Sequence, residues 1–181
     1  MTMNHNMFFG YGSLVNRATQ DYPGVKRATI SGWRRAWRHT GARKVAFLTA
    51  VPCPNTRIDG LLGEVPGGDW AALDAREWAY IRAPAEPGRG AQIYHIPADL
   101  HTAPSQTHPI LLSYIDAVLQ GYLREFGEAG ATRFCATTEG WDTPVRNDRT
   151  DPIYPRAQRL TTTERTFVDD MLLTLRAKVF A

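Results

Sequence analysis

The chain has 181 residues, 43% of them hydrophobic and 22% charged, a balance that fits one globular domain over residues 1–181 and excludes a disordered or fibrous chain. No stretch approaches the roughly 18 apolar residues of a membrane span, and MTMNHNMFF at the start lacks the basic head and apolar run of a signal peptide. A soluble, cytoplasmic protein with a formal net charge of only +3 is expected.

Met7 to Phe9 read as a short apolar strand ended by Gly10 and Gly12, where glycine relaxes the backbone. After a loop, ATISGWRRAW (28–37) and KVAFLTAVP (44–52) are rich in β-branched and aromatic residues and predict two strands. DGLLGEVP (59–66) predicts a third, cut off by its proline and the glycine pair that follows. The period then changes to helical in DWAALDAREWAY (69–80). Asp69 stands in an N-cap position, Trp70, Leu73 and Glu77 fall on one face, and Asp74 and Arg76 are expected to point outward.

Tyr80 to Ala83 and AQIYHIP (91–97) predict two more strands, separated by the turn-rich PAEPGRG (84–90). Leu111, Ile115, Val118, Leu119, Tyr122 and Phe126 then form the clearest helical stripe in the chain. Residues 137–160 carry no regular period. A loop of that length is functional or disordered, and Trp141 and Tyr154 argue for order. The last helix opens with a capping box, Thr161 to Glu164, and turns Phe167, Met171, Leu172 and Leu175 inward. This order of elements predicts an α+β fold with a mixed or mostly antiparallel sheet.

The segment from Lys26 to Lys44 holds many arginines, with Trp33 and Trp37 among them and no acid. Arginine with tryptophan is a nucleic-acid pattern, but strands also alternate exposed arginine with buried tryptophan, and that reading is preferred. Cys53 and Cys135 form no CxxC pair, so two buried, reduced thiols are expected and no disulfide scaffold. His95, His101 and His108 follow no metal-ligand spacing. Asp142, Arg146, Asp148, Arg149 and Asp151 either line a polar pocket or pair with one another in solvent.

FFGYGSLVN (8–16) fails as a dinucleotide loop, because Val15 stands where glycine or alanine is needed. No Gly-Lys-Ser/Thr makes it a phosphate loop. Ser13 lies in no Gly-x-Ser-x-Gly elbow and has no identifiable histidine partner. What remains is either a plain turn or a nest of consecutive amides that binds an anion. Glu77 is the second unusual feature, a carboxylate on an apolar stripe. Burial raises such a group's pKa into the range useful for proton transfer, unless it is locked in a structural ion pair with an arginine. Tyr154, held between Pro152 and Pro155, either faces a ligand or anchors its loop.

FFGYGSL at the first strand, together with DGLLGEVP and LDAREWAY, resembles the γ-glutamylcyclotransferase-like superfamily, whose members carry a YGSL-type loop and a catalytic glutamate in an LDxxE helix. Tyr11, Gly12, Ser13 and Leu14 match the first motif, and Leu73, Asp74 and Glu77 match the second. The resemblance covers residues 7–83 and implies a small mixed β-barrel flanked by helices, with no cofactor and no metal. It implies Glu77 as the proton-transfer group. The amides of Gly12, Ser13 and Leu14 would hold either the substrate's α-carboxylate or an oxyanion. Tyr80 and Tyr154 match pocket tyrosines only by approximate position.

LDAREWAY is similar to the glutathione-specific branch but lacks the glycines that follow the glutamate there, so the resemblance leaves the substrate open. The implied reaction is cyclisation of a γ-glutamyl amine, amino acid or peptide to 5-oxoproline, by a monomer or homodimer. The rival expectation is a non-catalytic module of the same fold that holds a carboxylate ligand.

Overall fold

The computed structural model describes residues 6–88 and 90–181. The start of the chain, residues 1–5, read above as free of a signal peptide, and Arg89 in the 84–90 turn lie outside the described residues. The sheet is built on a long hairpin of β2 (Lys26–Thr40) and β3 (Phe47–Glu64). The two strands expected at 44–52 and 59–66 are therefore one. Register passes from Ser31 opposite Arg57 to Trp33 opposite Pro52, so residues 53–56 bulge out opposite Gly32 alone. Pro52 and Pro54, which lack the N–H of a regular ladder, flank or occupy this bulge and are absorbed rather than ending the strand. Gly32, at φ +89°, adopts the left-handed backbone that the irregularity requires.

The other strands of the main sheet are β1 (Met7–Gly10), β4 (Ile81–Pro84), β5 (Ala91–His95) and β6 (His101–Thr102). Their order is β4-β5-β1-β3-β2-β6. β1 runs antiparallel to β3 but parallel to β5, which makes the sheet mixed and curls it into a half-barrel with β4 and β6 as unjoined ends. Three further two-residue strands are β7 (Ile110–Leu111), β8 (Thr138–Glu139) and β9 (Val145–Arg146), followed by β10 (Val179–Phe180) at the end of the chain. β8 joins β2, while β10, β9 and β7 form a small parallel sheet.

Three helices complete the α+β fold: α1 (Ala71–Arg76), α2 (Leu112–Ala136) and α3 (Thr162–Thr174). α2 buries Ile115, Val118, Leu119 and Tyr122 against the sheet, as the stripe predicts, while Leu111 belongs to β7. Gly127, at φ 67°, breaks the helix, and a second segment carries Ala131, Phe134 and Cys135 into the core. α3 starts on the predicted capping box, with both reciprocal hydrogen bonds present. Cys135 is buried and Cys53 half-buried, both as free thiols. Among the described residues, no helix is long and apolar enough to cross a membrane.

Candidate functional site

Residues Ser13–Val15 form one tight helical turn directly after β1. Its internal bonds are donated by Val15 to Gly12 O and by Asn16 to Ser13 O, so the amides of Gly12, Ser13 and Leu14 stand ahead of them at the open end of the turn. Neither Gly10 nor Gly12 has a positive φ. The glycines are there for space rather than for the relaxed backbone expected above. A Cβ on Gly10 would come within 2.5 Å of the Leu14 Cβ, and one on Gly12 within 2.7 Å of the Tyr114 hydroxyl oxygen.

α1 is shorter than its sequence period suggests. It ends at Arg76, and Glu77 is its C-cap at φ −97° and ψ 36°. A tertiary contact takes over beyond that point: the chain turns through Tyr80 N–H to Glu77 O, and the Tyr80 hydroxyl donates to Leu48 O at 2.7 Å. Asp69 bonds the Ala71 amide, but Trp70 is the N-cap residue. Leu73 is fully buried beneath the helix with Phe8, Leu14, Val65 and Tyr94.

Arg76 points inward, not outward as expected. Its guanidinium donates to Thr19 O, Thr19 Oγ1 and Ser13 Oγ, and its Nε lies 3.2 Å from Glu77 Oε1. One side chain thus ties the Gly12–Leu14 turn to the Glu77 carboxylate. Burial pushes Glu77 above the ordinary carboxylate value of 4.5, while the charges of Arg76 and Arg156 work against that shift. Asp74 does face outward, paired with Arg82 and accepting from the Tyr94 hydroxyl.

Glu77 lines two cavities. The smaller, about 30 Å³, is lined by Gly10, Tyr11, Gly12, Leu14, Tyr80 and Tyr114. The larger, about 370 Å³, runs from Ser13, Glu77 and Tyr114 outward past Phe47, Trp78 and Tyr154. Tyr114 borders both and packs edge-on against Tyr154 with ring centroids 5.0 Å apart. Burial holds the Tyr11, Tyr80 and Tyr114 hydroxyls neutral, with pKa values raised above the ordinary 10.0.

The residues that the family resemblance pointed to line two cavities that share Ser13, Glu77 and Tyr80: Tyr11, Gly12 and Leu14 border the smaller and Tyr154 the larger. Their roles differ. The Tyr11 hydroxyl is committed to the scaffold, donating to Tyr94 O and accepting from Ala50 N–H, as the Tyr80 hydroxyl is to Leu48 O. Tyr114, Arg76 and Arg156 are members that sequence reasoning missed. Only Tyr114 had a local signal, since it follows Leu111 by three and precedes Val118 by four on the flank of the helical stripe.

The charged residues of the late loop neither line this space nor pair only in solvent. Asp148 is buried and accepts from the Ser113 amide and hydroxyl and from the Ile153 amide, and Arg149 bridges Asp116 and Asp169. Asp148, through Ser113 and Ile153, fixes the loop next to Tyr154, whereas Arg149 fastens it to α2 and α3 away from the cavities. In the basic strand, Arg35 is buried, bonded to Tyr11 O and the Tyr122 hydroxyl, and Arg34 and Arg38 both pair with Glu139. Among the described residues, no group of three or more His, Cys, Asp or Glu is placed to hold a metal ion.

No family model and no curated protein matches the sequence. Solved structures do match. A γ-glutamyl cyclotransferase aligns with a TM-score of 0.54 at 12% identity, over 91% of this chain and 98% of its own. An uncharacterised protein from Homo sapiens aligns with a TM-score of 0.54 at 11% identity, over 90% and 97%. YkqA from Bacillus subtilis aligns with a TM-score of 0.51 at 17% identity, over 74% of this chain but 55% of YkqA, so the chain spans little more than half of that protein. At these identities the agreement is one of fold, and the fold of this chain is γ-glutamylcyclotransferase-like.

Proposed function

We propose that residues 1–181 form a single cytoplasmic, cofactor-independent domain that cyclises a γ-glutamyl compound, releasing 5-oxoproline and a free amine. The observation that carries this reading is the position of Glu77, whose carboxylate lines both cavities beside the open amides of the Gly12–Leu14 turn. The substrate's α-amine and γ-carbonyl belong to one molecule, so folding them together gains the effective molarity of an intramolecular attack. The α-nitrogen bonds to the γ-carbonyl carbon as the amide C–N bond breaks. Glu77, as carboxylate, takes the proton that the attacking nitrogen sheds and delivers it to the departing amine. The balance is one bond formed, one broken and one proton moved.

The small cavity supports a choice between the two anions. At about 30 Å³ it is far smaller than the neighbouring cavity of about 370 Å³, which favours a single carbonyl oxygen turning into an oxyanion there and the bulkier groups outside. The Ser13 amide, at the open end of the turn, and the Tyr114 hydroxyl, which borders this cavity, are then its donors.

The Arg76–Glu77 ion pair favours one rival, a module that binds such a ligand without turning it over. Incubation with a panel of γ-glutamyl compounds, followed by mass spectrometry, separates the two readings. Appearance of 5-oxoproline supports the cyclase. Saturable binding with an unchanged substrate supports the module.

A further inference from the structure

The larger cavity has more positive charge than its own residues use. Its lining includes three arginines, Arg43, Arg76 and Arg156, and one acid, Glu77. Arg76 is joined to Glu77. Among the described residues, Arg43 and Arg156 have no carboxylate within ion-pair distance. Both are exposed, and Arg156 is near enough to Glu77 for its charge to oppose the rise in that carboxylate's pKa. Arg43 lies over the Trp78 ring at 5.3 Å, toward the rim. Between and around them the walls are apolar: Val45, Phe47, Trp78, Ile153 and Pro155. Trp78 is 53% exposed and Ile153 46%, an unusual outlay of large apolar surface beside an opening.

Two unspent guanidiniums and an apolar wall describe a ligand with two anionic groups and a bulky hydrophobic part. From this we infer that the cavity beyond Glu77 is a leaving-group subsite for a bulky, apolar α-amino acid, so that the substrate is a γ-glutamyl amino acid with a free terminal carboxylate. This rests on the cyclase reading above. Arg156 takes the glutamyl α-carboxylate, which leaves the small cavity for the oxyanion. Arg43 takes the carboxylate of the departing amino acid, and its side chain packs on Trp78, Phe47 and Ile153. A γ-glutamyl amine with no carboxylate leaves Arg43 unpaired. A glycine leaving group leaves the apolar wall bare.

Three substrates separate these contributions: γ-glutamyl-phenylalanine, γ-glutamyl-phenethylamine, which lacks only the carboxylate, and γ-glutamylglycine, which lacks the benzyl side chain. The expected kcat/KM for the first exceeds each of the others by about tenfold or more, the discrimination of one charge-assisted bond or one buried ring. Arg43→Gln, a change at an exposed position, lowers turnover of γ-glutamyl-phenylalanine to the level of the phenethylamine compound and leaves the latter within about twofold. Equal rates for the matched pair, or an equal loss on all three substrates in Arg43→Gln, overturn the subsite. Should no substrate yield 5-oxoproline, the cyclase reading fails by itself. The subsite is then judged by calorimetric affinity for the same three compounds. Binding of γ-glutamyl-phenylalanine about tenfold tighter than the other two upholds it, and equal affinities, or none, overturn it.

Discussion

Two carboxylate–arginine pairs in this protein look alike at first sight and differ in what they leave unsatisfied. Asp116 on α2 and Glu77 at the end of α1 are both shielded from water, and burial raises both above the ordinary carboxylate range while arginines oppose it. Asp116 is gripped by both arms of one guanidinium, Arg149 Nε to Oδ2 at 2.8 Å and Nη2 to Oδ1 at 2.7 Å. Glu77 has a single contact, at 3.2 Å from one oxygen, and lines open space that neither Asp116 nor Arg149 lines. A raised pKa alone does not mark a site. What distinguishes Glu77 is spare accepting capacity beside a cavity.

This contrast makes the consequences of mutation opposite in kind. Glu77→Gln keeps shape and removes the proton acceptor, so the cyclisation rate should fall about 10²- to 10⁴-fold with little change in thermal unfolding. Arg149→Met should do the reverse. It leaves Asp116 buried without its bidentate partner, at a cost of about 3 kcal/mol in denaturant unfolding, while turnover per folded molecule is retained. Comparable losses of activity in the two variants would erase the distinction.

Gly12→Ala probes the packing behind the site. The new Cβ would meet the Tyr114 hydroxyl at 2.7 Å and Leu48 Cδ2 at 3.2 Å, and overpacking of this kind costs about 1–3 kcal/mol. Tyr114→Phe in the same chain removes the nearer clash and should recover part of that stability. The smallest effect is on pH dependence. Folded Glu77 holds its proton more tightly than the unfolded chain does, so stability falls as pH rises from 4.5 through its folded value. Glu77→Gln should flatten that part of the profile. In kinetics, the acid limb of kcat/KM should lie above 4.5, because only the carboxylate accepts a proton. Arg76→Gln, which removes an opposing charge, should move this limb to higher pH.

The features legible in the sequence are those set locally. The α3 capping box, the α2 stripe and the glycine-bounded first strand follow from residue type and spacing, and Glu77 stood out as a charge on an apolar face. The rest depends on partners distant in sequence. α1 stops early because Tyr80 bonds Leu48 on the hairpin. Arg76 turns inward because Thr19 and Ser13 await it across the turn. β3 runs through its prolines because the register with β2 tolerates a bulge at Gly32. Gly12 owes its identity to Tyr114, about a hundred residues away in the chain. No local pattern encodes these pairings.

The most direct test of the proton-transfer assignment is the rate of 5-oxoproline release by Glu77→Gln, on the best γ-glutamyl substrate, beside the unmodified protein and with unfolding curves for both. The expected result is a cooperatively folded Glu77→Gln protein with a rate reduced at least about 100-fold. A folded Glu77→Gln protein that releases 5-oxoproline at the unmodified rate would contradict it.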